Sequence, residues 1–180
     1  MGSLHLVLGP MFSGKTTRLI QIYKTRTYIL KKVAVINYAD DTRYDSKMLS
    51  SHDQTMIPCI QLRHLSNFDC SQYDTILINE GQFFGDLYTN VLAFVEKFHK
   101  EVFIFGLDGD FLRNKFGCIL DLIPYSDTIE KLSALCADCR DGTFAHFSYR
   151  VSKEVEQMVI GADNYKPLCR KCYSKYSISI

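Results

Sequence analysis

An α/β fold with a parallel central sheet and a small C-terminal appendage is predicted by three features of the sequence. Short apolar runs alternate with stretches of helical periodicity, the pattern of βαβ units. The first run ends in a glycine-bracketed loop that opens a helix. After about Leu135, cysteines, tyrosines and short polar stretches replace the apolar runs, which divides the chain into residues 1–135 and 136–180.

Leu4 to Leu8 reads as a buried strand, and about Lys15 to Leu30 as a helix with Leu19, Ile20, Tyr23 and Leu30 near one face. Val33 to Ile36 is a second strand, and the polar stretch from about Tyr38 to Gln54 reads as a loop. Thr75 to Asn79 is a third strand, a continuous apolar run as expected where both faces are covered. Asp86 is placed to cap a helix carrying Leu87, Val91, Val95 and Phe98 on one face. Val102 to Leu107 is a fourth strand and Ile129 to Leu135 a fifth. In parallel α/β sheets ligands gather at the carboxyl ends of strands. The loop after Leu8, Glu80 and Asp108 all follow such ends.

At 180 residues the chain suits one domain with its own core, and 47% hydrophobic residues exclude a disordered chain. The 21 basic and 20 acidic residues leave a net charge of +1, which argues against a dedicated nucleic-acid or anionic-membrane binder. No apolar run reaches the roughly 18 residues of a membrane span. Seven cysteines, an odd number, without a secretory pattern point to a reducing compartment and a cytoplasmic protein. Cys59, Cys70 and Cys118 read as small buried apolar residues.

Gly9-Pro10-Met11-Phe12-Ser13-Gly14-Lys15-Thr16 matches the phosphate-loop pattern G-x-x-x-x-G-K-[ST], with a strand before it and a helix after. Its glycines let backbone N–H groups curl around phosphate oxygens, and the helix N-terminus adds favourable partial charge. Lys15 is expected to reach the β and γ phosphates of ATP, and the Thr16 hydroxyl to ligate Mg²⁺. Glu80, in Asn79-Glu80-Gly81-Gln82, is placed to accept a proton from an attacking hydroxyl. Asn79 stands where an aspartate would serve hydrated Mg²⁺; its carbonyl oxygen can still accept from a metal-bound water, without the charge. Asp40-Asp41-Thr42-Arg43-Tyr44 follows the second strand, where an Arg can neutralise a transferring phosphoryl group, or the stretch can be a solvated loop. Cys136-x-x-Cys139 and Cys169-x-x-Cys172 make a four-thiolate zinc pattern, with all positions filled and therefore structural.

Together these motifs resemble the type II, cellular-type thymidine kinases, including their short viral members. The phosphate loop matches down to its non-glycine residues. Asp41-Thr42-Arg43-Tyr44, Ser51-His52-Asp53, Glu80-Gly81-Gln82-Phe83-Phe84, Leu107-Asp108-Gly109 and Cys169-Arg170-Lys171-Cys172 follow in the family's order. The resemblance implies a RecA-like phosphate-loop domain with a small C-terminal lasso domain tied by Zn²⁺. It implies transfer of the γ-phosphoryl of ATP to the 5′-hydroxyl of thymidine, and usually of deoxyuridine, with Mg²⁺. Glu80 falls at the family's catalytic base, with Lys15 and Arg43 as catalytic cations. Asp41, Asn79 and Gln82 fall at positions serving ATP and Mg²⁺. Phe111 falls where a ring packs on the base, and Met11, Phe83, Leu107 and Phe116 at pocket-lining positions. Gln157, Met158, Val159, Ile160, Gly161 and Tyr165 fall in the lasso that covers the base. A homotetramer inhibited by thymidine triphosphate is implied by the same resemblance. Three other readings remain: a kinase of another nucleoside, a zinc-containing ATP-binding module stimulated by nucleic acid, and an inactive relative, which Asn79 prompts.

Overall fold

The computed structural model describes residues 1–39, 48–50, 54–159 and 161–177. Six parallel strands form the central sheet: β1 (Ser3–Leu8), β2 (Val33–Tyr38), β5 (Ile60–Leu62), β6 (Thr75–Ile78), β7 (Glu101–Gly106) and β8 (Thr128–Lys131), in the order β5-β2-β6-β7-β1-β8. Two short strands, β3 (Met48–Ser50) within the polar stretch and β4 (Met56–Pro58) just after it, pair antiparallel beside the sheet. This corrects the reading of that stretch as loop throughout. Its first part, with Asp40, Asp41, Thr42, Arg43 and Tyr44, lies outside the described residues, as do Ser51, His52 and Asp53.

Both faces of the sheet are covered, and the strand residues alternate between two cores. Leu4, Leu6, Ile76, Ile78, Val102 and Ile104 pack with Phe84, Leu87 and Val91 on one side. Val7, Leu77, Phe103 and Phe105 pack with Leu19, Ile20 and Ile22 on the other. Each such side chain contributes about 1.5–3 kcal/mol by leaving water. The doubly buried strands therefore read as unbroken apolar runs.

Helix α1 (Lys15–Tyr28) begins where Gly14 adopts φ 82°, a left-handed conformation that favours glycine. No side chain caps its first turn, so its leading N–H groups are open to an anion. The second helix, α2 (Leu87–Leu92), continues through a π-helical turn at Ala93–Lys97. The sequence assigned Asp86 to cap this helix; its side chain makes no such bond. Its carboxylate instead accepts from the N–H groups of Leu65 (3.2 Å) and Ser66 (3.0 Å), opening the 3₁₀ turn Leu65–Asn67. The predicted strand from Ile129 to Leu135 is two: β8 and a separate β9 (Ala134–Leu135).

At the amino end of the sheet, away from the phosphate loop, Arg26 donates both bonds of a fork to Glu101 (2.8 and 2.7 Å), and the Thr75 hydroxyl donates a third (2.8 Å). Burial opposes ionisation of Glu101, but the Arg26 and Thr75 hydrogen bonds outweigh it and hold the carboxyl below its ordinary 4.5. A depressed folded-state value gives stability that is complete above 4.5 and is lost as pH falls through the folded-state value. The wild-type protein is expected to lose about 1 kcal/mol from this site in that acid range. Glu101→Gln should remove that part of the acid dependence in urea titrations below pH 5.

The C-terminal module carries β9 paired with β10 (Phe144–Ala145), β11 (Phe147–Arg150) paired with β12 (Tyr165–Leu168), and α3 (Arg170–Ser177). Its buried cluster is small: Ala134, Cys136, Ala145, Leu168, Cys169, Cys172 and Tyr173.

Candidate active site

The sheet brings the expected residues to one edge. The phosphate loop follows β1 and Asn79-Glu80 follows β6, with β7 between them, which sets the two about 10 Å apart at the strand ends. Within the loop, Lys15 Nζ donates to the carbonyls of Gly9 (3.0 Å) and Pro10 (2.7 Å). Ser13 Oγ is buried and has no hydrogen-bond partner among the described residues. A buried hydroxyl of that kind costs free energy unless something binds there, and it lies in the loop that opens the uncapped end of α1. Thr16 is in the first turn of that helix. Both features fit a bound phosphate.

Glu80 adopts φ 52°, a left-handed conformation that costs a non-glycine residue about 1–2 kcal/mol. Its carboxylate accepts from Gln82 Nε2 (2.7 Å), and Gln82 Oε1 accepts from the Leu107 N–H at the end of β7 (3.0 Å). Gln82 is buried, and a Cβ at Gly106 would come within 2.5 Å of its Oε1. Both ends of the Gln82 amide therefore orient Glu80 against β7. Beside it, Asn79 is buried and donates through Nδ2 to Asn37 Oδ1 (2.8 Å), and Asn37 donates to Gln61 Oε1 (3.2 Å). Asp108 is held by Lys131 (2.6 Å). Asp41 and Arg43, assigned to metal and phosphate, lie outside the described residues.

The four cysteines converge. Their Sγ atoms all lie within 4.8 Å of one another, with Cys139 at 3.8 Å from Cys169 and 3.5 Å from Cys172. A tetrahedral ion with Zn–S bonds of about 2.3 Å needs sulfur–sulfur edges of about 3.8 Å, so the cluster fits zinc. The Cys169 N–H donates to Cys136 Sγ (3.3 Å), and the Cys172 N–H to Cys169 Sγ (3.5 Å). Burial opposes ionisation of Cys136, yet N–H groups of Cys169, Cys139 and Asp138 bring it down to about 6. Cys172 is pushed up to about 12, first by its contact with Cys139 and then by burial.

A family profile described as thymidine kinase matches residues 2–173. The chain belongs to the thymidine kinase family. Among its relatives, the thymidine kinase of Yaba monkey tumor virus is 40% identical over 97% of this chain and 96% of its own length. Thymidine kinase a of Arabidopsis thaliana is 39% identical over 96% of this chain and 75% of its own. The cytosolic thymidine kinase of Bos taurus is 40% identical over 97% of this chain and 73% of its own. Membership in the thymidine kinase family accounts for the phosphate-loop sheet and the four-cysteine module occurring in one chain.

The residues expected around the acceptor of a thymidine kinase lie along this edge and the module. The ring of Phe83 meets Phe116 at 5.5 Å and Tyr38 at 5.4 Å. The Met11 N–H donates to the buried hydroxyl of Ser148 on β11 (2.9 Å), tying the phosphate loop to the module. Phe111 follows β7, and its carbonyl accepts from the Tyr173 hydroxyl (2.6 Å). In the lasso, Gln157 uses its side-chain amide on Asp110 Oδ2 (2.8 Å) and the Lys115 carbonyl (3.2 Å). Met158 is exposed, the Val159 carbonyl accepts from the Tyr165 hydroxyl (3.0 Å), and Gly161 takes φ 138°. Ile160 lies outside the described residues. Sequence reasoning missed Tyr38, Asn37, Ser148, Asp110 and Arg150. In Phe147-Ser148-Tyr149-Arg150 the alternate residues Ser148 and Arg150 are both buried, a burial that two polar side chains do not announce in sequence.

Proposed function

We propose that this chain transfers the γ-phosphoryl group of ATP to the 5′-hydroxyl of thymidine, giving thymidine monophosphate and ADP in pyrimidine salvage. Membership in the thymidine kinase family supports thymidine as acceptor, and one observation supports the chemistry. Glu80 is held by Gln82 at the carboxyl end of the sheet, with one strand, β7, between it and the phosphate loop. A carboxylate fixed there can take the hydroxyl proton as the oxygen attacks. Lys15 and Arg43 stabilise the charge on the transferring group, and the loop amides hold the phosphates in line. When bound, Mg²⁺ neutralises phosphate charge; Thr16, Asp41 and the neutral Asn79 are the residues that would serve it. Zn²⁺ on Cys136, Cys139, Cys169 and Cys172 holds the lasso domain, residues 136–180, in place and takes no part in the chemistry.

Met11, Phe83, Leu107, Phe111 and Phe116 line the acceptor site in this reading, and Gln157, Met158, Val159, Ile160, Gly161 and Tyr165 cover it. Deoxyuridine is a second acceptor. A homotetramer, inhibition by thymidine triphosphate and a cytoplasmic location belong to the same reading. No helix among the described residues is long and apolar enough to cross a membrane.

A panel of nucleosides with labelled ATP tests the acceptor. Thymidine and deoxyuridine are expected to be labelled, with deoxyguanosine and deoxyadenosine unlabelled. Preferential labelling of a purine nucleoside would move the assignment to another nucleoside kinase. DNA-stimulated ATP hydrolysis without labelled nucleoside would move it to an ATP-dependent motor.

A further inference from the structure

Arg150 ends β11 and is 4% exposed. Its guanidinium lies 3.7 Å from the centre of the Phe111 ring. Its N–H groups donate to the carbonyls of Glu154 (3.0 Å), Glu156 and Gln157 (3.0 Å), and to the Tyr165 hydroxyl (2.6 Å). The Tyr165 hydroxyl passes a bond on to the Val159 carbonyl. One buried cation, stacked on Phe111, thus gathers backbone carbonyls from residues 154–159 of the loop that follows β11.

A second tie fastens the same loop. Asp110 is 6% exposed; its Oδ1 accepts from the N–H groups of Leu112 and Asn114, and its Oδ2 accepts from Gln157 Nε2. A buried guanidinium or carboxylate is costly unless its hydrogen bonds are made. Opening either tie takes hydrogen bonds from a buried charged group, which favours the arrangement of residues 154–159 seen here.

We propose that Arg150 and Asp110 are positioning residues that preorganise the lasso against Phe111 and thereby set the affinity for the nucleoside without touching it. The inference rests on the reading of this lasso as the nucleoside's cover. A preorganised cover binds more tightly because the ordering cost is already met. Arg150→Lys keeps the charge but has three donors on a point cation and no planar face for Phe111.

The test combines kinetics with hydrogen exchange on the purified full chain. Arg150→Lys and Arg150→Met are expected to raise the thymidine KM by about tenfold or more, with kcat and the ATP KM changed less than about threefold. Zinc content should stay at wild-type level. Amides of residues 151–159 should exchange faster in the free variants. Gln157→Glu, which sets two carboxylates together, should also raise the thymidine KM, and adding Asp110→Asn should lower it again in part, because the new amide donates to Glu while the Lys115 carbonyl stays without its donor. An unchanged thymidine KM in Arg150→Lys and in Gln157→Glu would overturn the inference, and so would a parallel loss for both substrates. If the Arg150 variants fail to fold, the exposed Gln157 pair decides. In the wild type, thymidine must slow exchange in residues 151–159. If it does not, the cover reading fails and takes this inference with it; if it does while the variants keep their KM, the inference alone fails.

Discussion

Glu80→Gln is expected to lower kcat by about 10²–10⁴-fold while leaving ATP affinity near wild type. The substitution preserves size and still offers an oxygen to Gln82 Nε2, so the 2.7 Å bond and the left-handed backbone at Glu80 survive. What it removes is the ability to take a proton from the attacking hydroxyl. The phosphate loop follows a different strand and keeps its own hydrogen bonds from Lys15 to Gly9 and Pro10, so the nucleotide site is untouched. Steady-state turnover and ATP calorimetry on the purified variant separate the two effects. Near-normal turnover would remove Glu80 from the base position.

Cys169→Ser is expected to abolish zinc binding and lower nucleoside phosphorylation by about 100-fold or more, with the phosphate-loop domain still folded. The buried cluster of the module holds only seven residues, three of them cysteines and two alanines. Its sheets are two-stranded pairs of two to four residues. Such a core is too small to stand alone, and small domains of this kind depend on a metal or other staple. Loss of the metal frees α3, and with it the Tyr173 bond to the Phe111 carbonyl. Metal analysis, far-UV melting and kinase assays of the variant check the three parts. Full activity in zinc-free protein would contradict the structural role.

The inner strands of the central sheet were legible because they are buried on both faces, whereas the edge strand β5, three half-buried residues at Ile60–Leu62, was not. Ile76, Leu77 and Ile78 are each fully buried, so their run needs no alternation to announce a strand. The short pair β3 and β4 was not legible, because Met48–Ser50 and Met56–Pro58 are three residues each within polar surroundings. Asp86 has the composition of a helix cap, yet its carboxylate serves a turn some twenty residues earlier in the chain; no local pattern distinguishes the two.

The site divides in the same way. The phosphate loop, Glu80 and the cysteine pairs were readable because their chemistry requires fixed residue types at fixed spacing. Gln82 was singled out, but its bonds to Glu80 and Leu107 join two strands that sequence does not align. Arg150 is one of 21 basic residues. Its importance comes from main-chain carbonyls, which every residue carries and no sequence pattern marks. Asn79 was conspicuous as a missing charge, and the structure places its amide against Asn37, a neutral pair buried at the ends of β2 and β6.

The most direct test follows the γ-phosphoryl group itself. Purified protein is incubated with γ-labelled ATP, Mg²⁺ and thymidine, and the products are separated. Label on the 5′-oxygen of thymidine monophosphate, matched mole for mole by ADP and lost in Glu80→Gln, is the predicted result. Release of the label as free phosphate, with thymidine recovered unchanged, would contradict the account.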